Sequence, residues 1–182
     1  MKRKTFDAIL TSFGGILTVI LVVAGSLLLW GYNFASQNVH DQLAEQKIFF
    51  PAKGSPALAS SEIGPYLNQY AGQELLTGPQ AEAYANHFIA VHLKEIGGGM
   101  TYSQLSAKAQ AQPTNAKLAG QVDTIFKGTT LRGLLLEAYA FWQMAQIALI
   151  ASIGAFIAAF IMLVLTFFGY LHLRKVSPDA MM

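Results

Sequence analysis

Cysteine is absent from the 182 residues, so the chain has no disulfide framework, no thiolate metal site and no cysteine nucleophile. Whatever folds here must be stabilised by packing alone. Charge is also scarce: Asp, Glu, Lys and Arg make up 12% of the residues, and the net charge is +2. The basic residues do not form a patch interleaved with aromatics, which argues against nucleic acid as a partner. The alternating pattern of a half-buried strand is nearly missing while Ala, Gln, Leu, Glu and Lys dominate, so an all-α architecture without substantial sheet is predicted. No GxSxG, HExxH or GxxxxGK[ST] motif occurs, and no carboxylate pair has a spacing that selects it for general acid–base work. The composition therefore gives no support to enzyme activity, and no cofactor is expected.

What is abundant is apolar surface. Hydrophobic residues make up 53% of the chain and gather into two blocks near the ends, with an ordinary soluble composition between them. The length leaves room for one compact domain beside membrane spans. From Ala8 to Trp30 there is no charged residue, and a helix of that length crosses a hydrocarbon core of ~30 Å. Met1-Lys2-Arg3-Lys4 resembles the basic start of a signal peptide, but the apolar run is too long and no A-x-A site follows closely, which predicts an uncleaved signal anchor. The second block, Met144 to Tyr170, is followed by His172, Arg174 and Lys175.

Positive clusters at both chain ends place both termini in the cytoplasm. Trp30 and Tyr32, and Tyr139 and Trp142, mark the outer ends of the spans as aromatic belts. The predicted organisation is a cytoplasmic N-terminus (1–7), transmembrane helix 1 (8–32), an extracytoplasmic helical domain (33–143), transmembrane helix 2 (144–171) and a cytoplasmic C-terminus (172–182). Both spans are expected to extend outward into that small helical domain, in a multi-pass protein of the plasma membrane whose first partner is the lipid bilayer.

At 100° per residue, Glu137, Ala140, Met144, Ala148, Ala151, Ala155, Ala158 and Ala159 fall within about 60° of one line, while Phe156, Ile157, Phe160 and Phe167 point the other way. The same wheel groups Asp7, Thr11, Gly14, Thr18, Gly25, Ser36 and His40 on the first helix. Small residues let helix backbones approach closely in lipid, so these stripes are expected to face each other. The competing reading has one stripe sealing the pair and the other binding a second protein or a second copy of this chain. Glu137 is a lone carboxylate just outside the second span. It is expected to lock the pair through hydrogen bonds to Asn33, Ser36 or His40, with contact to a partner or an ion as the alternative.

Between the spans, the first helix is expected to continue through Ser36–Gln46 and stop at Phe49-Phe50-Pro51. A loop and a short helix near Ser61–Ala71 follow. Gly78-Pro79 opens a helix running to Ile96, stopped by Gly97-Gly98-Gly99. Thr101 and Gln104 form a capping box for a helix that ends before Pro113. A further helix from about Asn115 is expected to end at Gly128, and Thr130 to cap the final helix.

The densest polar group is Asn86, His87, His92, Lys94 and Glu95. On a regular helix His87 and His92 lie ~140° apart, so they do not share an ion. His92 shares a face with Ala81, Ala85, Phe88, Ile89 and Ile96, which reads as a hydrogen-bonded core histidine, and His87 reads as a surface residue. A metal site from His92, Glu95 and His40 is the functional alternative.

The segments YANHFIAVHLKEIGGG (84–99), Thr101-Tyr102 with Gln104-Leu105, and TLRGLLLEAYAFW (130–142) resemble a family of uncharacterised actinobacterial two-span membrane proteins, and the likeness covers nearly the whole chain. Members often carry the label "aromatic ring-opening dioxygenase", which implies a non-haem iron centre. Such a centre needs two histidines and a carboxylate converging on the metal. The chain offers His40, His87, His92 and a cytoplasmic His172, and no family residues are carried over. The expected function is a non-enzymatic accessory or scaffolding subunit of a cell-envelope complex, working with a protein partner or as a homo-oligomer. An extracytoplasmic ligand- or metal-binding sensor is the first alternative. A membrane-bound enzyme using His92 and Glu95 is the second.

Overall fold

The computed structural model describes residues 2–177. Met1 and residues 178–182, the extremities of the two assigned terminal segments, lie outside the described residues. The element order is α1 (Arg3–Gln46), a 3-10 turn (Pro56–Leu58), α2 (Gly64–Leu67), a second 3-10 turn (Asn68–Tyr70), α3 (Gly78–Tyr84), a π-helical turn (Ala85–Ile89), α4 (Ala90–Ile96), α5 (Tyr102–Gln110) and α6 (Ala116–Lys175). Among the described residues the fold is all-helical, with one isolated antiparallel bridge between Phe49 and Glu74 and no strand. The chain divides into two compact units, one from Met1–Phe34 and Met144–Met182, the other from Ala35–Gln143.

The first unit is a pair of antiparallel helices. Thr11 of α1 lies beside Gly169 of α6, Gly14 beside Thr166, and Gly25 beside Phe156, so position falls along one helix as it rises along the other. Both helices are long and apolar enough to cross a membrane. Their outward sides expose Ile9, Phe13 and Leu27 on α1 and Ile150, Phe160 and Phe168 on α6.

The second unit has a conventional core. Val39 and Leu43 from α1 and Leu135 from α6 pack with Phe50, Leu58, Ile63, Leu67, Leu75, Ala81, Ala85 and Ile89. Helix α1 ends as Lys47 enters the left-handed region at φ 49°, the usual way an α-helix stops. Two backbone bonds then tie the returning segment down, Leu75 N–H to Ile48 O at 2.8 Å and Phe50 N–H to Gln73 O at 2.9 Å. Tyr84 meets Phe50 edge-on and lies against Phe88; burial pushes its phenol above the ordinary tyrosine value, which keeps it neutral in the core. A smaller cluster of Leu105, Leu118 and Ile125 takes in Leu93 and Met100.

The α3 start carries a capping box that the Gly78-Pro79 signal alone did not reveal. Thr77 Oγ1 accepts from Gln80 N–H at 3.4 Å, while Gln80 Oε1 accepts from the amides of Leu76 at 2.8 Å and Thr77 at 3.0 Å. Gln80 Nε2 also donates to Gln73 Oε1 at 3.1 Å, so a buried glutamine is satisfied as the core requires. The Thr101 box at the start of α5 forms as expected, with Thr101 Oγ1 accepting from Gln104 N–H at 3.3 Å and Gln104 Oε1 from Thr101 N–H at 2.9 Å.

The expected break at Gly128 is corrected: α6 runs unbroken from Ala116 to Lys175. Asn115 starts it, its Oδ1 accepting from Leu118 N–H at 3.1 Å. Gly128 is small because the Leu93 side chain occupies the space a Cβ would need, a packing reason rather than a stop signal. Thr130 donates its hydroxyl back to Phe126 O at 2.9 Å, the i−4 bond of a mid-helix threonine rather than a cap. The region near Ser61–Ala71 also holds less helix than expected, with α2 covering only Gly64–Leu67 before a 3-10 turn.

Loss of a capping threonine typically costs about 1 kcal/mol. Thr77→Ala is expected to lower stability by at least as much as Thr101→Ala, because the main-chain N–H left without its acceptor belongs to the buried Gln80. Denaturant titration of the purified variants checks this; the reverse ranking would contradict the role assigned to Gln80.

Candidate functional site

A set of inward-facing residues in the first unit, flanked by further half-buried ones, recurs at alternating steps of three and four. On α1 they are Asp7, Thr11, Gly14, Thr18, Leu21, Gly25, Leu28 and Tyr32; on α6 they are Ala145, Ala148, Ser152, Ala155, Ala159, Met162, Thr166 and Gly169. All are buried or half-buried, whereas their neighbours on the far side are exposed. A 3.5-residue repeat keeps one seam facing its partner along a left-handed pair. Apart from Leu21, Leu28, Tyr32 and Met162 the seam is made of small or polar residues, which lets the backbones come close. A Cβ at Gly25 would sit 3.1 Å from the Phe156 ring, and one at Gly14 would sit 2.5 Å from Thr166 Oγ1.

Ser152 is the point of contact. Only 1% of its surface is exposed, and its hydroxyl donates to Gly25 O on the other helix at 2.8 Å. Two hydroxyls of α1 bond within their own helix, Thr18 to Gly14 O and Ser26 to Val22 O, each at 2.8 Å, and Thr166 Oγ1 on α6 is buried without a hydrogen-bond partner. Near the chain ends Asp7 stands 3.9 Å from Arg3 Nε and 3.7 Å from His172 Nε2.

Of the residues singled out by the helical wheel, Gly14, Thr18 and Gly25 are buried in the seam, and Ala148 and Ala155 are half-buried in it. Ala158 flanks it, also half-buried, while Ala151 is exposed. Two further assignments of the wheel are corrected: Met144 is exposed and Phe156 packs across Gly25. The error has a physical cause. A 3.6-residue wheel drifts ~20° per heptad against a 3.5-residue seam, and choosing positions by smallness favoured alanines over Ser152. Seven-residue recurrence of small residues at Ala145, Ser152, Ala159 and Thr166 was the signal that could have found it.

Glu137 also requires correction. It is exposed and makes no hydrogen bond among the described residues. Leu135, two positions earlier, is the buried residue of that turn, which rotates Glu137 outward. Ser36 Oγ is buried without a hydrogen-bond partner, and His40 is exposed, with Nδ1 3.1 Å from Asp41 Oδ1. The expected lock among these three is not formed.

The histidines of the second unit have structural contacts. His92 is half-buried, its Nδ1–H donating to Phe88 O at 2.7 Å with the ring 4.5 Å from that of Phe88. Ile96, placed with it on a core face, is instead 37% exposed. His87 is not a bare surface residue: it stacks on Tyr66 with ring centroids 3.5 Å apart and planes 5° from parallel. The π-helical turn Ala85–Ile89 changes the angular spacing here, so a regular wheel does not apply across it. Glu95 is exposed. Among the described residues no three His, Asp or Glu side chains gather as metal ligands, so His40, His92 and Glu95 are not brought together.

No protein-family model, curated protein or solved structure matches the chain.

Removing the Ser152 hydroxyl by Ser152→Ala is expected to weaken the helix pair by about 0.6 kcal/mol, the size typical of one interhelical hydrogen bond in a bilayer setting. Gly25→Leu should cost more, since its side chain meets the Phe156 ring directly. Thermal unfolding in a mild detergent compares them, and a Gly25→Leu protein as stable as the parent would refute the close approach.

Proposed function

We propose that the chain is a two-span protein of the cell membrane, with both termini cytoplasmic and the unit Ala35–Gln143 outside, serving as a non-enzymatic accessory or scaffolding subunit of an envelope complex. The observation that carries this reading is the sidedness of the helix pair. Its inner seam is mostly small or polar, and its outer faces are lined with exposed bulky apolar residues such as Ile150 and Phe160. Contiguous apolar surface of that extent is unfavourable in water and favourable in hydrocarbon. Lys2 precedes α1, Arg3 and Lys4 begin it, and Arg174 and Lys175 close α6. The Asp7–His172 approach draws those two ends together, so the basic clusters share one side, as a cytoplasmic assignment of both requires.

The accessory role is supported by what the polar groups of the second unit do. His92 holds a helix carbonyl, His87 stacks on Tyr66, and Lys94 pairs with Glu62 at 3.3 Å. Tyr102 and Phe126, 41% and 54% exposed and 5.4 Å apart ring to ring, offer an aromatic surface of the kind enriched in protein interfaces. The resemblance to actinobacterial two-span membrane proteins agrees with this organisation, and the dioxygenase label that accompanies it finds no ligand set in the histidines.

Because the chain has no native cysteine, its topology is directly testable with single substitutions. Ser103→Cys should react with a membrane-impermeant maleimide on intact cells, and Ser177→Cys only after permeabilisation; labelling of both on intact cells would refute the orientation. For the role itself, mild-detergent extraction from cells at native expression should retain a stoichiometric partner identified by mass spectrometry. A protein that runs alone or only with its own copies would contradict the accessory role.

A further inference from the structure

A cleft of about 270 Å³ opens within the second unit between α4, the start of α5 and the adjoining stretch of α6. Leu93, Met100 and Ile125 supply an apolar wall, and Lys94, Tyr102 and Arg132 supply the polar groups; none of the lining residues is a carboxylate. Arg132 is held by a short chain of hydrogen bonds. Its Nη2 donates to Asn86 Oδ1 at 2.7 Å, and Asn86 Nδ2 donates in turn to Glu82 Oε1 at 2.8 Å. Asn86 belongs to the π-helical turn, a local widening often found where a helix aims a side chain at a site.

A guanidinium stays charged in any protein setting, and no carboxylate of the cleft lining neutralises this one. Its planar donor edge matches a carboxylate. Lys94, on the same cleft, is mostly exposed and held only by a surface pair with Glu62 at 3.3 Å, a weak contact that leaves the ammonium free to turn inward. We infer that this cleft binds a small carboxylate with a compact apolar body, the carboxylate taken by the Arg132 guanidinium with Lys94 at the rim, and the body against Leu93, Met100 and Ile125. Glu82 and Asn86 act as positioning residues that fix the guanidinium. The inference uses contacts within Ala35–Gln143 alone, so it stands or falls independently of the membrane and partner reading.

The test uses the full chain in nanodiscs of zwitterionic lipid and fluorine NMR of 4,4,4-trifluorobutanoate. The carboxylate signal is expected to broaden and shift on binding, while the neutral 4,4,4-trifluorobutanol shows no saturable change. Arg132→Gln should weaken binding roughly tenfold or more, the effect of losing one charged hydrogen bond. Lys94→Gln changes an exposed residue and leaves the fold intact, so it reads the site even if Arg132→Gln does not fold; a several-fold loss is expected. Equal binding of the alcohol would overturn the proposal in favour of a plain apolar cleft. Undiminished binding by Lys94→Gln together with a folded Arg132→Gln would overturn it outright. Inorganic phosphate displacing the probe at equal concentration would overturn the preference for a carboxylate.

Discussion

The hydrogen bond from Ser152 to the Gly25 carbonyl depends on one condition, that two helix backbones come close enough for a serine to reach across. Glycine at positions 14 and 25 supplies that condition on α1, and alanine, serine or glycine at six of the eight steps of the α6 seam supplies it on the other side. Larger seam residues would push the axes apart, and the hydroxyl would then turn back to its own helix as Thr18 and Ser26 do. Most of the bulky residues lie on the outside, Ile9, Phe13, Ile150 and Phe160 among them. On the proposed reading this is how a pair of helices associates in lipid, where burying apolar side chains offers little gain because the solvent is itself apolar.

The second unit obeys the opposite rule. Its core is made of aliphatic residues with Phe50, and two of its interior amides are well anchored: Gln80 by two amides and a second glutamine, Asn86 between Glu82 and Arg132. With no cysteine to cross-link it, the unit relies on caps and on packing. The two ends of the chain's chemistry therefore differ, small and close in one unit, large and conventionally packed in the other.

Much of the helical framework was legible in the sequence because it is written in local signals. The charge-free runs, the Gly97-Gly98-Gly99 stop and the Thr101–Gln104 box each act within a few residues. Errors arose where a residue's role depends on a distant neighbour. Gly128 looks like a terminator until Leu93 is seen filling its space; Thr130 looks like a cap until its hydroxyl is found on Phe126. Glu137 drew notice as a lone acid, yet Leu135 takes the inward position and leaves it exposed. The Arg132 cleft was invisible for the same reason, since its parts come from α4, α5, α6 and a π-helical turn that no periodicity announces.

The register of the helix seam is the claim on which the account rests, and a disulfide tests it most directly. A Cβ built at Gly14 lies 3.7 Å from Thr166 Cβ, within the Cβ–Cβ range of about 3.5–4.5 Å that a disulfide needs. In membranes under mild oxidation, Gly14→Cys with Thr166→Cys should form an intramolecular bridge rapidly, while Gly14→Cys with Leu163→Cys, on the exposed face, should not. Equal bridging of both pairs, or bridging only between separate chains, would contradict the seam.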